Sequence, residues 1–449
     1  MPSAYRLVVT GDVIMNSRVS VCREPEVVAA LDIVRGADVA HAHLEIPLHD
    51  FGGADVFGAA EGALSWMRGP TYVAQELRTL GVDLVSTASN HSLDYSYGGL
   101  RSTLAALDAA GLAHAGSGHD LAAARAPAFA DTEVGRVALV SATASFPPFA
   151  RAGATRTDAA GRPGVNPQRY VHLVDRATAD SITNVAGKLG LWVVGEGDEF
   201  VVHPPGLHNS IRRFRTVEGM THPDTACDAV DLAGNLNAIR YAAAVADLVI
   251  AHLHVQEWDG HDGRMSSTPA FAHEFARKAA DAGAAIVLVQ GSHAPMRGIE
   301  VRDGVPILYD PGPLFRLGRR ETQPQDFYDR WGNPEHLRSF DANLLDAYGA
   351  RDTALGGERS GKRVLSPLEG NAHEPGFVLP DCEVDSASHR VTRLRLHPMS
   401  WSATTRGSGG FPIRLSGDRS DDVFERLAQL SAPYGTRLTF SNGVGEVAI

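Results

Sequence analysis

The chain has 449 residues, and 41 Lys and Arg against 53 Asp and Glu give a formal net charge of −12. A negative chain without a block of Lys and Arg repels polyanions, so we expect no nucleic-acid partner. It has no long apolar run and no signal-peptide pattern at its N-terminus, which predicts a cytoplasmic protein with no membrane partner. The three cysteines are odd in number and widely spaced, so we expect no disulfide framework.

Short apolar runs alternate with segments of helical periodicity over the first 142 residues. We predict strands at 6–10, 38–44, 83–88 and 136–142, and helices at 25–34, 72–80 and 99–110. Such alternation is typical of layered α/β folds.

The periodic pattern weakens over about residues 146–231, where Pro, Gly and Arg are frequent. We predict an insertion there that covers a functional site. The regular pattern then resumes, with helices at 232–246 and 269–282, strands at 247–254 and 285–291, and a pair of strands that turns at Asp303-Gly304.

The catalytic core is predicted to span residues 1–315. Residues 316–449 are then a C-terminal segment that packs on the same domain. This segment begins with a long polar stretch, and we predict only a strand at 391–396, a helix at 421–430 and a strand at 437–440 in it.

Polar residues follow the ends of five predicted core strands. They are Asp12, Glu45, the pair Asn90-His91, His254 and His293. Each by itself has a simpler reading as a helix cap, a turn or a buried core histidine. The carboxyl ends of strands in an α/β sheet lie along one edge, so the five positions together predict a catalytic site.

Six motifs occur in a fixed order along the chain, namely VVTGDVIMNSRV, HAHLEIPLHD, STASNHSLDYSYGGL, HAGSG, VIAHLHVQE and GIEVRDGVPILYDPGPLF. In this order they resemble the CapA/PgsA-like proteins, which are named for poly-γ-glutamate capsule synthesis. The resemblance runs from about residue 6 to 315. It implies the calcineurin-like metallophosphatase fold, an α/β sandwich of two β-sheets flanked by helices.

The same resemblance implies a site for two divalent metal ions, such as Mn, Fe or Zn. Transferred position by position, its ligands would be Asp12, Glu45, Asn90, His91, His254 and His293. Such a pair of ions would generate hydroxide and hydrolyse a phosphoester or amide bond.

The sequence departs from the family pattern at two further histidine positions. Gln256 stands where the family has a second histidine in the motif VIAHLHVQE, and Gly291 stands where the family has the first histidine of the block that is QGSHAP here, at residues 290–295. Because each lost nitrogen ligand removes a metal bond, we expect no metal and no other cofactor. The chain then resembles the CapA-like epimerases of lasso-peptide pathways, which invert the C-terminal tryptophan of a ribosomal precursor peptide without a metal.

This resemblance gives each site residue a role. Asp12 and His293 would be the two catalytic bases on opposite faces of Cα. Asn90 and His91 would donate hydrogen bonds to the enolate-like intermediate, and Arg162 would bind the substrate carboxylate. Glu45 and His254 would support these groups or remain as vestigial metal ligands.

Two other functions stay open. The first is the metal-dependent hydrolase, and the second is a non-catalytic family member that binds a peptide. His41, His43 and His252 alternate along predicted strands, and the sequence leaves open whether they are structural or line the pocket.

Overall fold

The structure is a computed structural model that describes residues 3–60, 65–206, 212–259, 267–292, 296–316, 322–331, 347–351, 376–402 and 408–449. The helices are α1 Pro25–Arg35, α2 Tyr72–Thr79, α3 Ser96–Ala109, α4 Leu121–Arg125, α5 Arg176–Lys188, α6 Ala229–Val245, α7 Ala270–Asp281, α8 Gln325–Trp331 and α9 Asp418–Ser431. The strands are β1 Ala4–Val13, β2 Val39–Leu44, β3 Leu84–Ser86, β4 Ala113–Ala115, β5 Ser117–Gly118, β6 Ala128–Thr132, β7 Gly135–Thr143, β8 Gly164–Val165, β9 Tyr170–Val174, β10 Trp192–Glu196, β11 Glu199–His203, β12 Arg212–Thr216, β13 Asp224–Cys227, β14 Leu248–His254, β15 Ile286–Gln290, β16 Gly298–Arg302, β17 Val305–Tyr309, β18 Phe377–Asp385, β19 Val391–Trp401, β20 Pro412–Arg414, β21 Thr439–Ser441 and β22 Val444–Ala448.

Two large sheets pack face to face and form the centre of the molecule. The first has the order β21-β22-β19-β18-β1-β2-β3-β4, with β20 beside β19, and the second has the order β16-β17-β15-β14-β7-β6. Leu7 and Val9 of the first sheet and Ile250 and Leu288 of the second lie in one buried cluster between them. Helices α1 to α3 cover the outer face of the first sheet, and α6 and α7 cover the outer face of the second. This arrangement confirms the predicted α/β sandwich of two sheets flanked by helices.

Helix α1 illustrates how the local sequence matches these layers. Pro25 occupies its first position, where the missing N–H costs no helical hydrogen bond. Val27, Leu31 and Val34 are buried at helical spacing and pack on the outer face of the first sheet. Each such side chain contributes about 1.5–3 kcal/mol by burial.

The range predicted as an insertion contains more regular structure than its sequence indicates. A third sheet, of order β10-β11-β12-β9-β13, forms here together with α5. Its strands are short, and β10 is mostly exposed. Their apolar residues are interrupted by Gly, Glu and Arg, so they lack the continuous apolar signal of the core strands.

The C-terminal segment extends the first sheet. Strand β18, in a stretch predicted to be irregular up to about residue 382, pairs with β1 from Ala4↔Asp385 to Val8↔Asp381. The strand predicted at 391–396 is longer, and the one predicted at 437–440 is the first half of a β21–β22 hairpin. In the described part of the chain no helix is long and apolar enough to cross a membrane.

Candidate active site

A bulge in β1 directs Asp12 towards the space between the two sheets. Val9 pairs with His41 of β2, but the next pair is Asp12 with His43, so β1 carries one extra residue. Val9 lies in the core between the sheets and Val13 in the core outside them. Strict alternation would put both on the same face, so the bulge reverses the alternation just before Asp12.

Gly11 is required at this bulge because another chain segment lies against it. A Cβ built on Gly11 would lie 2.0 Å from the carbonyl oxygen of Gly312. No side chain fits there unless the backbone moves.

Four histidines from two facing strands surround this position. His41 and His43 alternate on β2, and His252 and His254 alternate on β14, so each pair points to the inner side of its own sheet. The ring centroids of His43 and His252 are 4.4 Å apart, and those of His43 and His254 are 5.0 Å apart. All four side chains are completely buried.

Neutral side chains hold these rings in place. The hydroxyl of Ser86 lies 2.8 Å from Nδ1 of His43 and 3.1 Å from Nε2 of His41. Gln290 donates from its amide nitrogen to Nε2 of His252 at 2.9 Å. His252 therefore carries its proton on Nδ1, where the hydroxyl of Ser141 lies 3.1 Å away.

Burial keeps three of these histidines neutral at physiological pH. It lowers the pKa of His41 to about 3 and lowers the pKa values of His43 and His252 well below 6.5. For His43 the neighbouring imidazoles act in the same direction, because a second positive charge beside the first is unfavourable.

Asp12 lies between two of these imidazoles. Its Oδ1 is 3.7 Å from Nε2 of His43 and 3.9 Å from Nδ1 of His254. One ligand atom of each residue lies within 4.8 Å of the others, and the described residues contain one such group of potential metal ligands. Nε2 of His43 has no hydrogen-bond partner among the described residues. This set of two nitrogens and one carboxylate fits a single Zn, Fe or Mn ion.

Asn90 contacts His254 of this group, and His91 contacts Asp94. Nε2 of His254 donates to Oδ1 of Asn90 at 2.9 Å, which leaves Nδ1 of that ring as the acceptor facing Asp12. Nδ1 of His91 lies 2.6 Å from Asp94 Oδ2. Burial raises the pKa of Asp94, and His91 opposes that rise.

Three other predicted site residues are Glu45, Arg162 and His293. Glu45 is completely buried just after β2, where its carbonyl accepts from the hydroxyl of Ser89 at 2.6 Å. Arg162 is exposed on the insertion and donates from Nε to the carbonyl of Arg151 at 2.9 Å. His293 lies outside the described residues, so its role as a second base stays a prediction.

The sequence left the role of His43 open and did not single out Gln290 for the site. A signal for the histidines was present, because two pairs of His at i and i+2 on buried strands had to face the same interior layer. Gln290 ends β15 and gave no such signal, since only its pairing beside His254 brings it to the rings.

A second polar network lies at the ends of β15 and β17. Ser292 donates to Asp310 from its backbone N–H at 3.1 Å and also from its hydroxyl. Nε of the buried Arg297 lies 4.0 Å from the same carboxylate. Nearby, Glu257 accepts from the hydroxyl of Ser145 at 2.6 Å, and burial raises the pKa of this carboxyl group.

Comparisons with known proteins agree with the motif resemblance. A family model described as "Bacterial capsule synthesis protein PGA_cap" matches residues 6–315. Two uncharacterized proteins of Sinorhizobium fredii (strain NBRC 101917 / NGR234), y4sH and y4uA, are each 28% identical over 457 residues. The alignments cover 99% of this chain and 93% of each relative, so the similarity extends through the C-terminal segment.

Proposed function

Because this chain belongs to the family of bacterial capsule synthesis proteins PGA_cap, we propose that it is an enzyme of that family that acts on a peptide. The reaction we propose is metal-independent epimerisation at Cα of the C-terminal residue, a tryptophan, of a ribosomal lasso precursor peptide. We place this activity in the cytoplasm, where such a precursor is made.

One observation supports this function best, namely the buried carboxylate of Asp12 between imidazoles. His43 and His252 are neutral, and the ring of His254 is oriented by Asn90. A carboxylate at 3.7 and 3.9 Å from two imidazole nitrogens is a candidate base with groups beside it that can accept or return a proton.

The hydrogen bonds of the other predicted ligands also favour acid–base chemistry over a dinuclear metal site. Asn90 Oδ1 accepts from His254, and His91 contacts Asp94. Among the His, Cys, Asp and Glu side chains of the described residues, Asp12, His43 and His254 form one group of three candidate ligands.

In the proposed reaction, Asp12 removes the α-proton, and the electron pair of the Cα–H bond enters the adjacent carboxyl group. His293 returns a proton to the opposite face, so the net change is inversion of one centre. The intermediate requires hydrogen-bond donors or positive charge at the carboxyl oxygens. We assign this role to Asn90 and His91, and we retain Arg162 as the proposed ligand of the substrate carboxylate.

Exchange with solvent tests this function directly. Enzyme and precursor peptide in D₂O should give one deuteron at the inverted Cα, and Asp12→Asn should reduce incorporation by at least about 10²-fold. Asp108→Asn is the matched control, because the Asp108 side chain is 74% exposed. No incorporation into a peptide whose mature product carries the D-residue would contradict the proposal.

A metal-dependent hydrolase remains the second candidate, and the grouping of Asp12, His43 and His254 favours it. An ion held there would polarise a phosphoryl or acyl oxygen and supply hydroxide at neutral pH. This candidate predicts about one equivalent of Zn, Fe or Mn in purified protein and loss of activity with EDTA. The epimerase predicts deuterium exchange that EDTA leaves unchanged.

A peptide-binding protein without catalysis is the third candidate. It predicts that Asp12→Asn and His293→Ala both leave the biological activity intact. If both variants restore the wild-type phenotype, the peptide-binding function is favoured over the epimerase and the hydrolase.

A further inference from the structure

A row of five residues crosses the sheet of the insertion, and its three central members carry aromatic rings. Gly195, Phe200, Phe214, His172 and Thr225 are paired in register on five neighbouring strands. Cross-strand partners share one face of a sheet. The rings of Phe200 and Phe214 stack at 5.1 Å, and those of Phe214 and His172 stack at 5.4 Å.

One end of this row is fixed to the core. His172 contacts Tyr170, whose ring stacks on Phe271 of α7 with the planes 6° apart and the centroids 4.4 Å apart. The outer end is open, since Gly195 is exposed and has no side chain, and the rings of Phe200 and Phe214 are partly exposed.

Arg212 places a positive charge beside the row. It lies two residues before Phe214 on β12, and therefore on the same face. Arg213 and Arg215 are on the opposite face and form ion pairs with Asp228 and Glu199. Arg212 is exposed, and its side chain makes no ion pair or hydrogen bond with any residue that the structure describes. Burial is the main cause of the lowered pKa of His172, and the positive charge of Arg212 lowers that pKa further.

The inner end of the row leads towards the candidate active site. Burial raises the pKa of Tyr170, and the charge of Glu257 acts in the same direction. Glu257 also accepts from the hydroxyl of Ser145, which in turn accepts from the backbone N–H of Gln256. Gln256 is two residues beyond His254 of the Asp12 group.

We infer that the face formed by Phe200, Phe214, His172 and Arg212 binds an extended, acidic segment of a peptide that carries aromatic or apolar side chains. The identification of this peptide as the substrate rests on the proposed function. Stacked rings bind such side chains, and the exposed positive charge of Arg212 complements a carboxylate of the peptide. On the proposed function, the C-terminal end of the same peptide reaches the Asp12 site.

Fluorescence anisotropy with two labelled 12-residue probes tests this surface. Both probes end in Trp and contain two Phe, and one carries two Asp where the other carries two Lys. We expect Arg212→Glu to weaken binding of the acidic probe about tenfold, the ratio that corresponds to 1.4 kcal/mol. Arg176→Glu is the matched control, because Arg176 is 70% exposed on α5 and pairs only loosely with Asp198 at 3.8 Å.

Phe214→Leu provides a second variant that keeps most of the apolar volume but removes the stacked ring. It should weaken both probes by a similar factor, with the circular dichroism spectrum unchanged. Equal affinity of the wild type and Arg212→Glu for the acidic probe would overturn the inference. So would a change from dimer to monomer in Arg212→Glu by analytical ultracentrifugation, because the face would then contact a second copy of this chain.

The same variants separate this inference from the proposed function. If probe binding depends on Arg212 but no peptide shows deuterium exchange, the inferred binding surface stands and the proposed epimerase function is rejected. If deuterium exchange occurs and Arg212→Glu leaves its KM unchanged, the epimerase function stands and the inferred binding surface is rejected.

Discussion

The side chains of Asp12 and His43 face each other across neighbouring parallel strands, with Oδ1 and Nε2 3.7 Å apart. They meet because the bulge in β1 shifts the register between the Val9–His41 pair and the Asp12–His43 pair. Without the extra residue, Asp12 would point into the apolar layer beneath the outer helices.

Substitution of Gly11 should disrupt the bulge. In Gly11→Ala the added Cβ would meet the carbonyl oxygen of Gly312 at 2.0 Å, and the backbone cannot yield without moving Asp12. We expect a loss of about 3 kcal/mol in the free energy of unfolding by urea, and loss of activity. Gly52→Ala is the control, since a Cβ there has nothing within 4 Å. Equal stability of the two variants would contradict this account of the bulge.

His43 should matter for catalysis although the sequence left its role open. His43→Ala removes the imidazole nearest Asp12 while leaving Ser86 and His41 in place. We expect the rate of deuterium incorporation to fall by about 10²-fold, the lower range for a lost acid–base group. His119→Ala, an exposed histidine, should leave the rate unchanged. A similar rate in both variants would remove His43 from the site.

The buried histidines should make the folded protein sensitive to acid. The pKa of His41 is about 3 in the folded state but near 6.5 in the unfolded chain, so the unfolded state binds more protons between these values. Stability is therefore complete above pH 6.5 and declines as the pH falls, by about 2 kcal/mol for each such histidine at pH 5.

The variant His41→Gln tests that pH dependence. The difference in unfolding free energy between pH 7 and pH 5 should be about 2 kcal/mol smaller in His41→Gln than in the wild type. His119→Gln should show the wild-type difference. If His41→Gln shows the same difference in unfolding free energy between pH 7 and pH 5 as the wild type, the pKa of His41 is not lowered, and His41 is protonated in the folded protein at pH 5.

The three thiols should differ sharply in reactivity. Cys22 is partly exposed, whereas burial raises the pKa values of Cys227 and Cys382, with Glu274 and Asp381 acting in the same direction. Because the thiolate is the reactive form, a thiol reagent such as DTNB should modify one cysteine rapidly in the native protein and three in urea. Cys22→Ser should remove the rapid phase. Two rapid phases in the wild type would contradict the burial of Cys227 or Cys382.

The sequence determined most of the two-sheet core and the positions of the polar strand ends. Strands such as Val39–Leu44 and Leu248–His254 are buried on both faces, and helices such as Pro25–Arg35 carry apolar residues at helical spacing. Both signals are local, so they can be read from a single chain. The ordered motifs likewise indicated the family that the match over residues 6–315 confirms.

Only the tertiary structure decided which of the polar residues meet. The register of β1 against β2 decides which residue faces Asp12, because without the extra residue of the bulge Asp12 would pair with Leu44 instead of His43. The contact between His43 and His254 further depends on how two separate sheets pack. The pairing of β18 with β1 joins residues more than 370 positions apart. Local propensity contains no information about such long-range pairing, because its energy comes from partners that the fold brings together.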